Sequence, residues 1–212
     1  MQFKKFLELV PKISNLTLPG KEAQLEMAPL ERVNALSEMD IEKRNPRWAA
    51  VMALFYPDAE ENCRIALILR KTYKGVHSNQ VGFPGGKVEG EDKNLEYTAR
   101  RETMEEINVA EDDIVVFKQT TKTYIPPSNF YVQPFMGYVN YTPHFIPQEE
   151  EVAAMIEAKI EDLLFAETIT QNHTTSYAEE IDVPAFLLNE HVVWGATAMM
   201  LNEVKRLVLA AQ

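Results

Sequence analysis

Residues 81–109 read VGFPGGKVEGEDKNLEYTARRETMEEINV, and this segment decides the architecture of the chain. Within it, small and apolar residues recur at successive four-residue steps. This spacing predicts a helix over residues 92–107 that packs on the core along one row. The row consists of Leu95, Ala99, Thr103 and Ile107.

Three carboxylates lie beside this row. Glu102, Glu105 and Glu106 are spaced i, i+3 and i+4, so they share one face of the predicted helix. Like charges this close repel one another unless a cation lies among them, and carboxylate oxygens are ligands that Mg²⁺ or Mn²⁺ prefers. The alternative is a solvated acidic face, which is common on helices. The preceding Gly85-Gly86 pair lets the backbone approach closely and favours the metal site.

The segment resembles the signature of the Nudix hydrolase family. That signature is a glycine, a short acidic loop and the pattern Arg-Glu-apolar-x-Glu-Glu-x-Gly-apolar. Here the loop begins at Gly86, and RETMEEINV follows at residues 101–109. The departures are Asp92 at the loop glutamate, a spacer of eight rather than seven residues before Arg101, Thr103 at an apolar position and Asn108 at the closing glycine. Asn108 follows the helix, where asparagine tolerates the left-handed conformation.

The resemblance implies an α+β fold, an α/β/α sandwich with a mixed central sheet, in which the signature holds divalent metal. It also implies hydrolysis of a nucleoside diphosphate that is linked to another group. The implied metal ligands are Glu102, Glu105, Glu106 and the Gly86 carbonyl. The implied catalytic residues are Glu102, Glu105 and Arg101, with Arg101 orienting a carboxylate. Glu105 is a third ligand or the general base, and Glu151 of the late acidic run 149–151 is an alternative base.

The longer spacer and Asp92 resemble the branch of the family that hydrolyses coenzyme A (CoA). That branch carries an upstream signature: an apolar strand, Arg-Ser, a later Arg, a Gly and then Phe-Pro-Gly-Gly. The chain matches it at Arg70 and at residues 83–86. The positions that differ are Lys71, Gly75 and Asn79.

Two later segments, residues 124–130 and 194–198, also resemble the CoA branch. The implied products are 4′-phosphopantetheine and adenosine 3′,5′-bisphosphate. The alternatives are a pyrophosphatase acting on ADP-ribose, NADH or another nucleoside diphosphate derivative, and a non-catalytic nucleotide-binding module. Retention of all three glutamates argues against the last.

Basic residues cluster just before the glycines of an otherwise acidic chain. We expect Arg70, at the end of an apolar strand, to bind a phosphate of the substrate. For Lys71 and Lys74, solvation of a loop is the alternative, and His77 contacts phosphate or forms a hydrogen bond within the loop. The predicted substrate-binding set is Arg70, Lys71, His77, Phe83 and Gly85.

The composition restricts the partners. A formal net charge of −11 over 212 residues leaves no basic surface for nucleic acid. Cys63 is the only cysteine, which excludes an internal disulfide and a thiolate zinc site. No apolar run approaches the roughly 18 residues of a membrane span, and the first residues do not resemble a signal peptide. We expect a cytoplasmic protein that acts on a small CoA-like nucleotide.

Elsewhere the periodicity predicts helices at residues 1–13, 20–39 and 196–210. It predicts strands at residues 48–56, 65–69, 114–119, 130–139, 153–160 and 183–188, with a hairpin joining the first two. We expect residues 1–44 to form an N-terminal helical extension that packs on the core or on a second subunit of a homodimer. Residues 45–212 are expected to form the Nudix domain.

Overall fold

The structure of the protein, a computed structural model, describes residues 1–72, 79–175 and 178–212. Its helices are α1 (Phe3–Asn15), α2 (Gly20–Leu25), α3 (Leu30–Glu38), α4 (Leu95–Ile107), α5 (Ile160–Phe165) and α6 (Gly195–Ala211). Its strands are β1 (Arg47–Pro57), β2 (Cys63–Arg70), β3 (Val81–Gly82), β4 (Gly85–Lys87), β5 (Val115–Gln119), β6 (Thr123–Ile125), β7 (Phe130–Tyr138), β8 (Val152–Lys159), β9 (Ile169–Thr175), β10 (Ala178–Leu188) and β11 (His191–Trp194). None of the helices in these ranges combines the length and apolar character needed to cross a bilayer.

Strand β1 is the centre of a mixed eight-stranded sheet. It pairs in parallel with β7, from Arg47 opposite Phe130 to Phe55 opposite Tyr138. On its other edge it pairs antiparallel with β4 near its start and with β2 near its end. The order β3-β2-β1-β7-β5, with β8 beside β2 and β6 beside β7, confirms the α+β fold with a mixed central sheet. The predicted hairpin is β1–β2.

Alternate side chains of β1 enter two separate cores, because successive residues of a strand point to opposite faces. Ala53 and Phe55 belong to the larger core, which also contains buried side chains of α1 and α6. Met52 and Leu54 belong to the smaller core, together with Ala99 of α4. The sheet therefore lies between two helical layers, and the acidic helix α4 covers one face of it.

Helix α1 packs on the sheet face opposite α4. The ring of Phe6 is fully buried, and its centroid lies 4.5 Å from that of Phe55. The prediction of one helix over residues 20–39 is wrong, because the chain forms α2 and α3 with Pro29 between them. A proline has no N–H to continue a helix. The boundary that separates an extension from the domain stays a prediction.

The other predicted strands correspond to β5, β7, β8 and the second half of β10, and the predicted last helix is α6. The sequence did not indicate β9 and β11, which form a second sheet of three strands with β10. The β9 segment reads ITQNHTT and has a single apolar residue, so no alternation of apolar and polar residues marks it as a strand.

Candidate active site

The acidic helix α4 begins later than predicted. Asn94 caps its N-terminus, where the Asn94 side chain accepts a hydrogen bond from the Tyr97 N–H at 2.8 Å. Asp92 therefore lies in the preceding loop. At the other end Asn108 adopts φ 61° and ψ 45° and donates its N–H to the Met104 carbonyl, which confirms the left-handed conformation expected there.

One row of α4 packs on the sheet as predicted. Ala99, Thr103 and Ile107 are fully buried, and Leu95 is partly buried. The Thr103 hydroxyl donates to the Ala99 carbonyl at 2.6 Å, so the helix itself satisfies this polar group. This packing turns the side chain of Glu106 toward β4.

Gly85 and Gly86 bring the backbone of β4 against two of the glutamates. The Gly85 N–H donates to Glu106 Oε2 at 2.7 Å. A Cβ built on Gly86 would lie less than 3.0 Å from the Glu102 carboxylate, closer than real Cβ atoms approach. Gly85 has φ 148°, and a Cβ there would meet the backbone of β1. A side chain at position 85 would therefore collide with backbone, and one at position 86 would displace the Glu102 carboxylate.

Glu106 is the most buried of the three glutamates, with 2 % of its surface exposed. Burial raises the pKa of Glu106 to about 7, against the opposing effect of the Arg70 charge. Arg70 Nη1 lies 3.5 Å from Glu106 Oε1, yet within the described ranges no donor makes a hydrogen bond to this oxygen. A buried oxygen without a donor is unfavourable, so this atom is suited to a cation.

Arg101 connects the acidic loop to the other two glutamates. Its Nε and Nη2 donate to the Asp92 carboxylate at 2.9 and 3.0 Å. Its Nη1 lies 3.1 Å from Glu102 Oε1 and donates to Glu105 Oε2 at 2.9 Å. The hydrogen bonds from Arg101 lower the pKa of Asp92 to about 2. Arg101 thus contacts the Glu102 and Glu105 carboxylates, and its orienting role stays a prediction.

The carboxylates of α4 differ in how well they fit a divalent cation. In the part of the chain that the structure describes, no three acidic, histidine or cysteine side chains already converge on one point. The side chain of Glu105 is 56 % exposed and forms an ion pair with Arg101. Glu102 and Glu106 do lie close together, since the Glu102 charge contributes to the raised pKa of Glu106.

Burial raises the pKa of Glu102 as well, so both carboxylates would be stabilised by a cation between them. Glu106 Oε1, which accepts no hydrogen bond from the described residues, offers a hard oxygen ligand of the kind that Mg²⁺ prefers. Glu102 and Glu106 therefore fit a cation held by two protein carboxylates, with its remaining coordination positions left to water and phosphate. The Gly86 carbonyl and Glu105 stay predicted ligands.

A late loop brings one further carboxylate to the site. The Gln148 N–H donates to the Glu106 carbonyl at 2.9 Å, and the Lys71 N–H donates to the Glu151 carbonyl at 2.8 Å. These two bonds fix the loop between α4 and the end of β2. Burial is the main cause of the raised pKa of Glu102 and of Glu106, and the negative charge of Glu151 raises both pKa values further. Sequence analysis missed Gln148, because no local motif indicates its backbone contact with α4.

Arg70 and Lys71 lie at the site but in different environments. Arg70 Nη2 donates to the Gly85 carbonyl at 2.8 Å, and its second nitrogen faces Glu106. It therefore supports the glycine segment and the buried carboxylate, in addition to the predicted contact with phosphate. The side chain of Lys71 is exposed.

The other residues predicted to bind substrate are Phe83, Gly85 and His77. Phe83 is 2 % exposed and belongs to the larger core, so its ring has a packing role instead of the predicted contact with substrate. Gly85 contributes its N–H to Glu106, as described above. His77 and Lys74 lie outside the described residues.

A family model provides the decisive comparison. The model described as the NUDIX domain matches residues 46–178, which is more than half of the chain. The chain belongs to the Nudix family. The matched residues include β1, the glycine segment, α4 and the late loop.

Two curated relatives of this Nudix domain span most of its length. "Nudix hydrolase 15, mitochondrial" from Arabidopsis thaliana is 27 % identical over 84 % of this chain and 62 % of its own length. The chain thus spans less than two thirds of that relative. "Peroxisomal coenzyme A diphosphatase ndx-8" from Caenorhabditis elegans is 26 % identical over 81 % of this chain and 73 % of its own.

Among solved structures, the Nudix hydrolase RenU from M. smegmatis is similar with a TM-score of 0.54. It is 12 % identical, and the similarity covers 78 % of this chain and 87 % of RenU. At this identity the similarity concerns the fold alone.

We expect the Glu106 carboxylate to make the metal-free Nudix domain less stable at pH 8 than at pH 5.5. The pKa of Glu106 is about 7 in the folded protein, against 4.5 for an unperturbed glutamate. The folded state therefore binds this proton more tightly, and the stability it provides below pH 4.5 is lost as the pH rises through 7. We expect a loss of about 2 kcal/mol in the free energy of unfolding.

Urea unfolding with EDTA at both pH values measures this loss. Glu106→Gln removes the titrating group and should abolish most of the difference. The matched control is Glu96→Gln, because Glu96 is a half-exposed glutamate of the same helix. An unchanged pH dependence in Glu106→Gln would show that another group is responsible.

Proposed function

We propose that this Nudix domain hydrolyses the pyrophosphate bond of coenzyme A or its derivatives, with Mg²⁺ or Mn²⁺ as cofactor. The products would be 4′-phosphopantetheine and adenosine 3′,5′-bisphosphate. The observation that carries the hydrolytic part is the pair of Glu102 and the buried Glu106, held against a double glycine. One carboxylate oxygen of Glu106 accepts no hydrogen bond from the described residues. The spacer of eight residues and the C. elegans relative named as a coenzyme A diphosphatase support the choice of substrate.

Glu102 and Glu106 would hold the cation. When bound, it neutralises phosphate charge and lowers the pKa of a water molecule. Arg101 keeps the Glu102 carboxylate beside Gly86 through its fixed contact with Asp92. Arg70 holds the Gly85 carbonyl and supplies positive charge next to the position of the substrate phosphates.

We infer that Glu151, rather than Glu105, accepts the proton of the attacking water. Glu105 Oε2 accepts a hydrogen bond from the Arg101 guanidinium, so this oxygen is already occupied by a donor. Glu151 lies near enough to affect both metal-binding glutamates. Its backbone is fixed on two sides, by Gln148 and Lys71.

We therefore expect Glu151→Gln to lower kcat by about 10²- to 10⁴-fold, the usual contribution of a general base. Glu105→Gln should lower it less. Glu150→Gln is the matched control, since Glu150 is the exposed neighbour in the same loop. Stopped assays of kcat against pH measure the effect. A larger loss in Glu105→Gln than in Glu151→Gln would reverse the assignment.

A substrate panel tests the proposed function. Purified protein with Mg²⁺ or Mn²⁺ is assayed against CoA, an acyl-CoA, ADP-ribose, NADH and a diadenosine polyphosphate. We expect the highest kcat/KM for CoA or its ester. Cleavage of ADP-ribose with CoA left intact would favour the alternative, a pyrophosphatase for another nucleoside diphosphate derivative. No hydrolysis of any of them would favour a non-catalytic binding module. The cytoplasmic location and the homodimer stay predictions.

A further inference from the structure

A cavity of about 230 Å³ opens at the start of β1, outside the acidic site. Its walls are Glu42, Asn45, Pro46, Trp48 and Tyr131. Trp48 is 37 % exposed, while Tyr131 behind it is 8 % exposed. The two rings are neighbours across the β1–β7 pairing, with centroids 5.2 Å apart. We call them the Trp48–Tyr131 platform.

The platform lies on the same face of the sheet as the catalytic helix. Side chains alternate along β1, and Ala50 belongs to the core that α4 covers, so Trp48 two residues earlier points to the same side. Ala50 is the register partner of Gly86. The platform is thus about 7 Å along the strand from the glycine that contacts Glu102. The Trp48 carbonyl also accepts a hydrogen bond from the Val88 N–H at 3.1 Å.

A fixed positive charge adjoins the platform. The Lys122 ammonium lies 4.0 Å from the centroid of Tyr131 and 5.0 Å from that of Trp48, within the range of a cation–π contact. Its neighbour Thr121 is anchored, because its hydroxyl donates to the buried Glu203 carboxylate at 2.7 Å. Lys122 does not line the cavity, so it leaves that space to a ligand.

These features match one chemical class, a planar aromatic base attached to phosphate. Aromatic rings stack nucleobases with about 1–3 kcal/mol per base. The cavity is smaller than the roughly 300–1,000 Å³ that encloses a whole ligand, so it suits one planar group of a longer molecule. Glu42, which accepts from the Tyr131 hydroxyl at 3.1 Å, and Asn45 supply polar groups for the edge of a base.

We propose that the Trp48–Tyr131 platform binds the nucleobase of the substrate. The nucleoside end then lies at the start of β1, and the chain of phosphates extends from there toward Gly86 and Glu102. This inference rests on the proposed function in its broad form, action on a nucleoside diphosphate derivative, and is independent of whether that derivative is CoA.

Calorimetric titration with AMP in the presence of Mg²⁺ tests the platform, because AMP has a base and a phosphate but no pyrophosphate bond to cleave. Inorganic phosphate is the base-free probe. We expect Trp48→Ala to weaken AMP binding by roughly 5- to 100-fold, the equivalent of one lost stacking contact, and to leave phosphate binding unchanged. Trp48→Phe keeps an aromatic ring and should stay within about threefold of the wild type.

Phe165→Ala is the matched control, since Phe165 is an aromatic ring that is 77 % exposed on α5. Equal AMP affinity in Trp48→Ala and the wild type would overturn the platform, as would an equal loss of affinity for AMP and phosphate. No AMP binding by the wild type would overturn it too. Trp48-dependent AMP binding together with no hydrolysis of CoA would uphold the platform and reject CoA as the substrate.

Discussion

Glu106→Gln is expected to reduce metal-dependent turnover by at least about 10³-fold, because it removes a carboxylate ligand whose charge stabilisation amounts to several kcal/mol. Glutamine has nearly the shape of glutamate and can still accept the hydrogen bond from Gly85. It cannot supply the anionic oxygen that, in the wild type, is buried and accepts no hydrogen bond from the described residues. The fold should therefore persist while the affinity for the cation falls.

Steady-state kinetics with Mn²⁺ gives the loss of activity, and titration of free Mn²⁺ by electron paramagnetic resonance gives the loss of affinity. Circular dichroism confirms the fold. Glu96→Gln on the same helix, half-exposed and paired with Arg100, should behave as the wild type in all three. Full activity in Glu106→Gln would eliminate this residue as a metal ligand.

Gly86→Ala is expected to lower kcat/KM by about 10²-fold with little loss of stability. The new Cβ would collide with the Glu102 carboxylate. That carboxylate is the end of a flexible side chain, which moves aside and leaves its position next to Glu106. A displacement of about 1 Å at a reacting centre can cost this much rate.

Gly85→Ala should act differently, although the two glycines are neighbours. Its Cβ would meet the Ala50 carbonyl and the Val51 Cα of β1, and backbone atoms of a central strand cannot move aside. We expect a loss of more than about 3 kcal/mol in the free energy of unfolding. Gly90→Ala is the control for both, because nothing lies within 4 Å of a Cβ at that position. Equal effects of Gly85→Ala and Gly86→Ala on stability would contradict this distinction.

Local spacing was enough to predict the part of the site that lies on one element. The row Ala99, Thr103 and Ile107 and the acidic face beside it depend only on helical periodicity, and both are found on α4. The left-handed Asn108 follows from the chemistry of helix ends. The start of α4 was wrong by three residues because Asn94, rather than Asp92, caps it.

Contacts between distant segments could not be predicted in this way. Arg70 was expected to face phosphate, yet it also binds the Gly85 carbonyl. Phe83 belongs to a local motif but is buried in the larger core, which only the assembled fold determines. The Trp48–Tyr131 platform requires the parallel register of β1 and β7, and nothing near Trp48 in the sequence specifies that pairing.

The parallel pairing of β1 with β7 has a consequence for folding. Arg47 lies opposite Phe130, 83 positions later in the chain, and Arg64 of β2 lies opposite Lys159, 95 positions later. When two strands far apart in the sequence pair, the chain loses entropy before stabilising contacts form. Proteins with many such pairings therefore fold slowly. During synthesis β1 can pair with β2 early, but more than eighty further residues are needed before β7, its neighbour on the other edge, exists. Until then the unpaired backbone N–H and C=O groups of that edge remain open to other chains.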